Sequence, residues 1–195
     1  MKRIDALRTV VAATPTLPVV ATCAATSREL AAVADRPNHL YLLDSMGLTT
    51  SVGTGLALAV ADSAVSHVVV LDGDGSLLMN LNALATAGYL LPAKLVILLL
   101  DNASYASTAG LPTHSTRIDL AEIATACGLA VYHAEDQTSL NAVLGTVLAG
   151  PGPSYVHIRI EPGNTPGVPL LLVDPAVLAA RFRAWLVATM GESGG

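Results

Sequence analysis

The chain has 195 residues, 52% of them hydrophobic and 13% charged, with a formal net charge of −5. This length fits one domain with a sizeable core, placed at residues 1–190 and followed by a flexible tail over residues 191–195. Ten scattered basic residues, one Phe and one Trp exclude a phosphate-tracking groove lined with base-stacking aromatics, and every apolar run is broken well short of a bilayer span, so neither nucleic acid nor a membrane is an expected partner.

In chain order, Ile4, Leu7, Val10 and Val11 recur near helical spacing and predict a helix over 5–13, closed by Pro15 and Pro18. Asp5 and Arg8 interrupt this apolar start, so it does not read as an export signal. A short strand over 19–22 follows. Thr26-Ser27-Arg28-Glu29-Leu30 then looks like a hydroxyl-capped helix start reaching Val33. The small residues Cys23-Ala24-Ala25 before it would let a ligand approach the backbone, or simply reflect an Ala-rich composition. Cys23 and Cys127 are far apart and outside any CxxC pattern, which points to reduced thiols in the cytoplasm, with a bridge between them the less favoured alternative.

A strand over 40–43 ends in Asp44-Ser45-Met46-Gly47, and in the helix over 49–61 Gly53, Gly55 and Ala57 predict one close-packing face. The apolar run 68–71 ends in Asp72-Gly73-Asp74-Gly75-Ser76; a long helix follows, and a second apolar run, 95–100, ends in Asp101-Asn102. Further on, helices are expected over 120–127 and 139–148, strands over 130–132 and 154–160, irregular chain over 161–170, and a last helix capped by Asp174 that carries Leu178, Phe182 and Leu186. Strands alternating with helices predict an α/β fold of three α/β/α layers around a mostly parallel sheet of about six strands.

Two neighbouring strands that finish on carboxylate and amide groups bring oxygens to the edge where open α/β sheets bind ligands. Backbone amides at Gly75 and Ser76 favour phosphate, but the Asp74 carboxylate would repel it unless a cation lay between them. The arrangement therefore predicts a diphosphate bridged through Mg²⁺, with the metal held by Asp74, the Asn102 side chain and the Ser104 carbonyl. A Gly-Asp-Gly turn alone is equally well structural. The preceding strand and the spacing to Asn102 raise its weight.

Gly73-Asp74-Gly75-Ser76 followed by Asp101-Asn102 resembles the thiamine-diphosphate motif of decarboxylases and related 2-oxo acid enzymes. Thr26-Ser27-Arg28-Glu29-Leu30, Ser45-Met46-Gly47, Leu78-Met79, Ala83-Leu84-Ala85-Thr86 and Ser107-Thr108-Ala109-Gly110-Leu111-Pro112-Thr113 extend the likeness over nearly the whole chain. They are similar to the C-terminal half of the phosphonopyruvate decarboxylases and the β subunit of the sulfopyruvate decarboxylases. The resemblance implies a thiamine-diphosphate-binding fold, with Asp74, Asn102 and Ser104 on magnesium and Gly73, Gly75, Ser76 and Tyr105 at the cofactor. It further implies that Ala24, Ala25 and Thr26, with Ser45, Met46 and Gly47, line the aminopyrimidine end and hold the cofactor bent. His114 is a candidate proton donor or carboxylate contact, though a lone loop His is more often merely exposed.

Three departures stand out. Leu111 replaces an amide side chain, Asp44 stands where relatives have Gly, and a Gly near Ala24 is missing. The pyrimidine-binding domain of this superfamily has no counterpart in the stretch before Val19, so a separate subunit is expected to supply the activating glutamate, in an α2β2 or larger heteromer acting on a small 2-oxo acid. Decarboxylation to an aldehyde is the leading reading. Acyloin formation with an uncharged acceptor near Leu111, and a non-catalytic assembly subunit, are the alternatives.

Overall fold

The computed structural model describes residues 1–191. Helix α1 (Arg3–Ala13) leads to β1 (Val19–Ala21), α2 (Ala25–Val33), β2 (His39–Tyr41), α3 (Thr49–Ala59) and β3 (Val68–Gly73). Two short helices, α4 (Asp74–Met79) and α5 (Asn82–Leu90), precede β4 (Leu95–Asp101) and a two-stranded hairpin of β5 (Ser104–Tyr105) and β6 (Leu111–Pro112). Then come α6 (Leu120–Ala126), β7 (Ala130–Ala134), α7 (Gln137–Val147), β8 (Ser154–Arg159) and α8 (Pro175–Gly191).

The six main strands form one sheet in the order β2-β1-β3-β4-β8-β7, and every neighbouring pair is parallel. The central strands are apolar on both faces because both are covered by helices. Val69, Leu71, Val96, Leu98, Val156 and Ile158 pack with side chains of α1, α2 and α7. Val68, Val70, Leu95, Ile97, Leu99 and Tyr155 face the other way, against α3, α5 and α6. This period-2 alternation divides the interior into two layers with the sheet between them. The chain runs from β1 to β2 on one side and returns to β3 on the other, so a crevice opens between the C-terminal ends of β1 and β3.

The structure departs from the sequence expectations at several points. No hydroxyl caps α2: its N-cap is Ala24, and Ser27 Oγ instead donates back to the Thr22 carbonyl at 2.6 Å. The single long helix after β3 is two helices, parted at Asn80 and Leu81, where Asn80 Nδ2 donates to the Gly47 carbonyl at 2.9 Å. Only Gly53 and Ala57 of the expected small-residue face are buried; Gly55 is exposed with open space around it, because two residues along a helix is more than half a turn. The β5–β6 hairpin was not foreseeable from two-residue strands. Cys23 and Cys127 are both free. The expected tail begins at Gly191, the last residue of α8, and its remaining residues, 192–195, lie outside the described residues.

Candidate functional site

The site grows from the C-terminal ends of β1, β3 and β4. At the end of β3 the chain is still extended at Gly73 and turns at once into α4, which puts Asp74, Gly75 and Ser76 in the first turn. Asp74 is 2% exposed. Its Oδ2 accepts from Thr113 Oγ1 at 2.6 Å, with Ser115 Oγ at 3.4 Å, while its Oδ1 has only a long contact, 3.5 Å, from the Asn102 amide. Burial raises the pKa of this carboxyl, the Thr113 hydrogen bond opposes that, and neighbouring Asp101 adds to the rise. Asn102 Oδ1 accepts from the Ser104 amide at 3.0 Å, an Asx turn that fixes the amide group at the end of β4.

Ser76 ties three loops together. Its Oγ accepts from Thr22 Oγ1 and from the Gly47 amide, both at 3.0 Å, so its own hydrogen is left to donate. Asp72, one residue before Gly73 on β3, is fully buried; Thr50 Oγ1 donates to its Oδ2 at 2.8 Å and the Gly73 amide to its Oδ1 at 3.0 Å, which locks α3 to the strand end. At the end of β4, Asp101 Oδ2 lies 2.8 Å from His157 Nε2, and its Oδ1 accepts from the Ala103 amide and Ser115 Oγ, both at 2.9 Å. Burial works against ionisation of Asp101, but these hydrogen bonds outweigh it and hold its pKa below the ordinary value.

The hairpin closes over this floor. Pairing of Ser104 with Pro112 and Tyr105 with Leu111 folds the segment back, and the Thr113 amide bonds the Ala103 carbonyl at 3.1 Å. The Tyr105 ring then lies on Gly75 so closely that a Cβ there would stand 2.7 Å from Cδ1 of the ring. Three residues other than Gly have positive φ on the loops around the site: Ala24 at 61°, Asp44 at 58° and Ala103 at 55°. Asp44 falls where the resemblance leads one to expect a glycine, and Ala24 lies near a second such position.

A cleft opens here, lined by residues 22–26, Met46, residues 73–76, Leu100, Asn102, residues 104–107 and, from α1, Arg3. Of the candidate residues, Ala24, Ala25, Thr26, Met46, Gly73, Asp74, Gly75, Ser76, Asn102, Ser104 and Tyr105 line it. Gly47 is joined to it only through Ser76. Ser45 does not line it, and its hydroxyl bonds the Leu43 carbonyl at 3.4 Å. His114 is exposed in a short 3-10 turn and is not brought into the cleft. Leu111, 60% exposed, also lies outside the lining, so the carboligase reading takes no support from an apolar wall at that residue.

Sequence reasoning missed Arg3, Thr22, Thr113, Ser115 and His157. Thr22 and Thr113 offered a weak signal, a hydroxyl beside a strand end or loop already singled out. Arg3 and His157 offered none, since each meets its partner only through the packing of distant segments. Among the described residues no cluster of three or more His, Cys, Asp or Glu is placed to hold an ion, and no helix is long and apolar enough to cross a membrane.

Comparison with known proteins agrees with this geometry. Residues 22–158 match the family described as thiamine pyrophosphate enzyme, C-terminal TPP binding domain. The chain is 43% identical over 186 residues to a phosphonopyruvate decarboxylase of Streptomyces viridochromogenes, covering 94% of this chain and 46% of that protein. It is 38% identical over 182 residues to the sulfopyruvate decarboxylase subunit beta of Methanothermobacter thermautotrophicus, covering 93% and 94% of the two chains. The chain thus spans about half the length of the first relative and nearly all of the second. Benzoylformate decarboxylase from Polynucleobacter necessarius shares the fold, with a TM-score of 0.70 at 18% identity over 83% of this chain and 33% of that one. A glycine-flanked aspartate at one strand end, an Asx-turned asparagine at the next, and a family match running through both place this chain among the thiamine pyrophosphate enzymes, as a C-terminal cofactor-binding domain.

Proposed function

We propose that the chain is the diphosphate-binding subunit of a two-component thiamine-diphosphate-dependent 2-oxo acid decarboxylase, working with a separate subunit whose pyrimidine-binding domain supplies the activating glutamate. The observation that carries this reading is the meeting of Asp74, Asn102 and Ser104 in one cleft with Ser76 and the small-residue loop over 22–26. The donor set fits magnesium: one carboxylate oxygen with only a long contact, beside amide and carbonyl oxygens, leaves the remaining positions to phosphate oxygens and water. When bound, thiamine diphosphate supplies the electron sink through which a 2-oxo acid loses carbon dioxide.

The chain's own residues bind and orient. Asp74, Asn102 and the Ser104 carbonyl hold the metal, with Thr113 fixing the second oxygen of Asp74. Gly75 and Ser76 receive the diphosphate, Met46 with the loop over 24–26 walls the aminopyrimidine end, and Tyr105 covers Gly75 and excludes water from it. The split arrangement is supported by the near end-to-end match to a β subunit set against the half-length match to a phosphonopyruvate decarboxylase. In this reading the assembly is an α2β2 or larger heteromer in the cytoplasm, where Cys23 and Cys127 stay free.

The test is release of carbon dioxide by the chain copurified with a pyrimidine-domain partner, supplied with thiamine diphosphate and Mg²⁺. Phosphonopyruvate and sulfopyruvate, the compounds in the relatives' names, are the first substrates to offer, followed by a panel of 2-oxo acids. Release that needs both cofactor and metal is expected. A well-folded assembly that binds the cofactor and decarboxylates none of the panel would defeat the decarboxylase reading.

A further inference from the structure

Arg3 opens α1 and lines the cleft, where it is the one cation among the described lining residues. It is nearly buried, and its Nη1 donates to Glu29 Oε1 at 3.2 Å and to Asn164 Oδ1 at 3.1 Å. The same Glu29 oxygen accepts the Thr165 amide at 2.9 Å. The second Glu29 oxygen is buried without a partner, and Nε and Nη2 of Arg3 have no hydrogen-bond partner among the described residues.

This is a poor arrangement for a pair that serves only to join two elements. Elsewhere in the chain Arg181 and Asp35 show the alternative, a two-pronged pair with Nη1 to Oδ2 at 2.8 Å and Nη2 to Oδ1 at 2.6 Å. An arginine facing a carboxylate ordinarily uses its fork in this way, and an under-satisfied buried carboxylate costs stability. Arg3 is held by one nitrogen instead, which leaves the rest of a planar donor set unspent on a side chain that lines both this cleft and a second one formed with Glu29, Asn164 and Thr165.

We propose that Arg3 is an anion receptor for the diphosphate of the cofactor, its unspent guanidinium donors meeting phosphoryl oxygens while Glu29 and Asn164 hold it in place. The inference rests on the cofactor-binding reading above. Because Glu29 balances its charge, Arg3 acts through directed N–H donors rather than through a net field. A substrate carboxylate would offer the same chemistry, so the test must separate the two sources.

The probe is inorganic pyrophosphate with Mg²⁺, titrated calorimetrically into the chain. Arg3→Met combined with Glu29→Gln removes both charges, so neither is left buried and unpaired. A loss of affinity of about tenfold or more is expected. Arg181→Met with Asp35→Asn removes a more exposed ion pair away from the cleft and should bind like the wild type. Should the first double variant fail to melt cooperatively, Arg3→Lys keeps the charge without the fork and should still bind several-fold more weakly; wild-type affinity in Arg3→Lys would then count against the proposal. Unchanged pyrophosphate affinity in the folded double variant overturns it, as does a raised KM for the 2-oxo acid in the assembled enzyme with pyrophosphate affinity intact, which would move Arg3 to the substrate. If the wild-type chain binds no pyrophosphate, the cofactor reading itself fails, a result distinct from the failure of Arg3 alone.

Discussion

Ala24 adopts φ 61° and ψ −128°, a region that belongs to glycine because a Cβ there crowds the backbone. Strain of about 1–3 kcal/mol set against about 0.4–1 kcal/mol of unfolded-state entropy gives Ala24→Gly a net gain of about 1 kcal/mol, read as a higher urea midpoint. Asp44 has φ 58°, which an aspartate tolerates far better, so Asp44→Gly should change stability little. Equal effects for the two would mean that backbone conformation is not what separates them. His39 carries a second residue-scale prediction. It is fully buried, and burial first, then the nearby Arg36 charge, push its pKa down to about 4, with Asp35 acting the other way. Its folded pKa is below the unfolded value of about 6.5, so the unfolded chain takes up the proton first. The stability it contributes is complete above about pH 6.5 and drains away as pH falls toward 4, by about 2–3 kcal/mol. His39→Gln should flatten that limb of a stability-against-pH curve; an unaltered slope would show that the loss comes from other groups. That an alanine at residue 24 and an aspartate at residue 44 stand in loops is legible in the sequence, but their cost is not, because φ is a property of the folded path.

At the level of elements, α3 shows how packing overrides propensity. A Cβ at Gly53 would run into Val70 Cγ2 on β3, while nothing lies within 4 Å of a Cβ at Gly55. Glycine in a helix interior costs about 1 kcal/mol against alanine, so Gly55→Ala should stabilise by about that amount. Gly53→Ala gains the same propensity but forces the helix off the sheet, for a net loss of about 1–2 kcal/mol. Thermal melts of the two variants moving in opposite directions is the expected result; a shared direction would refute the close-approach explanation. Both glycines were visible as unusual in a helix. Which one touches the sheet depends on the rotation of α3 about its axis, and its residues, with hydroxyls and leucines set on no single side, leave that rotation poorly marked. The N-terminal caps show the same division. Asp119 and Asp136 cap α6 and α7 with side-chain oxygens, whereas α2 starts on an uncapped, positive-φ alanine beside the cleft.

For the whole molecule, binding that is confined to the folded state must raise stability by mass action. Thiamine diphosphate with Mg²⁺ at about 100 times the dissociation constant should add about 2.7 kcal/mol to the chain assembled with the proposed partner. Asp74→Ala should abolish this increment while the unliganded assembly keeps its circular dichroism. A ligand-induced rise that persists in Asp74→Ala would remove Asp74 from the metal assignment.

The sequence by itself determined the six main strands and most of the helices, the parallel sheet implied by their alternation, and the Asp74 and Asn102 pair, because these are written in local periodicity and in residues at the ends of apolar runs. Tertiary structure alone decided which other groups meet that pair. Arg3 from α1, Thr22 from the end of β1, Thr113 and Ser115 from beyond the hairpin, and His157 from β8 reach the strand edge from separate parts of the chain. It also turned His114 and Leu111 away from the cleft. The physical reason is that a polar side chain carries no periodic signal of its own: its position is set by the burial of apolar neighbours, and its partners come together only when the two layers close on the sheet.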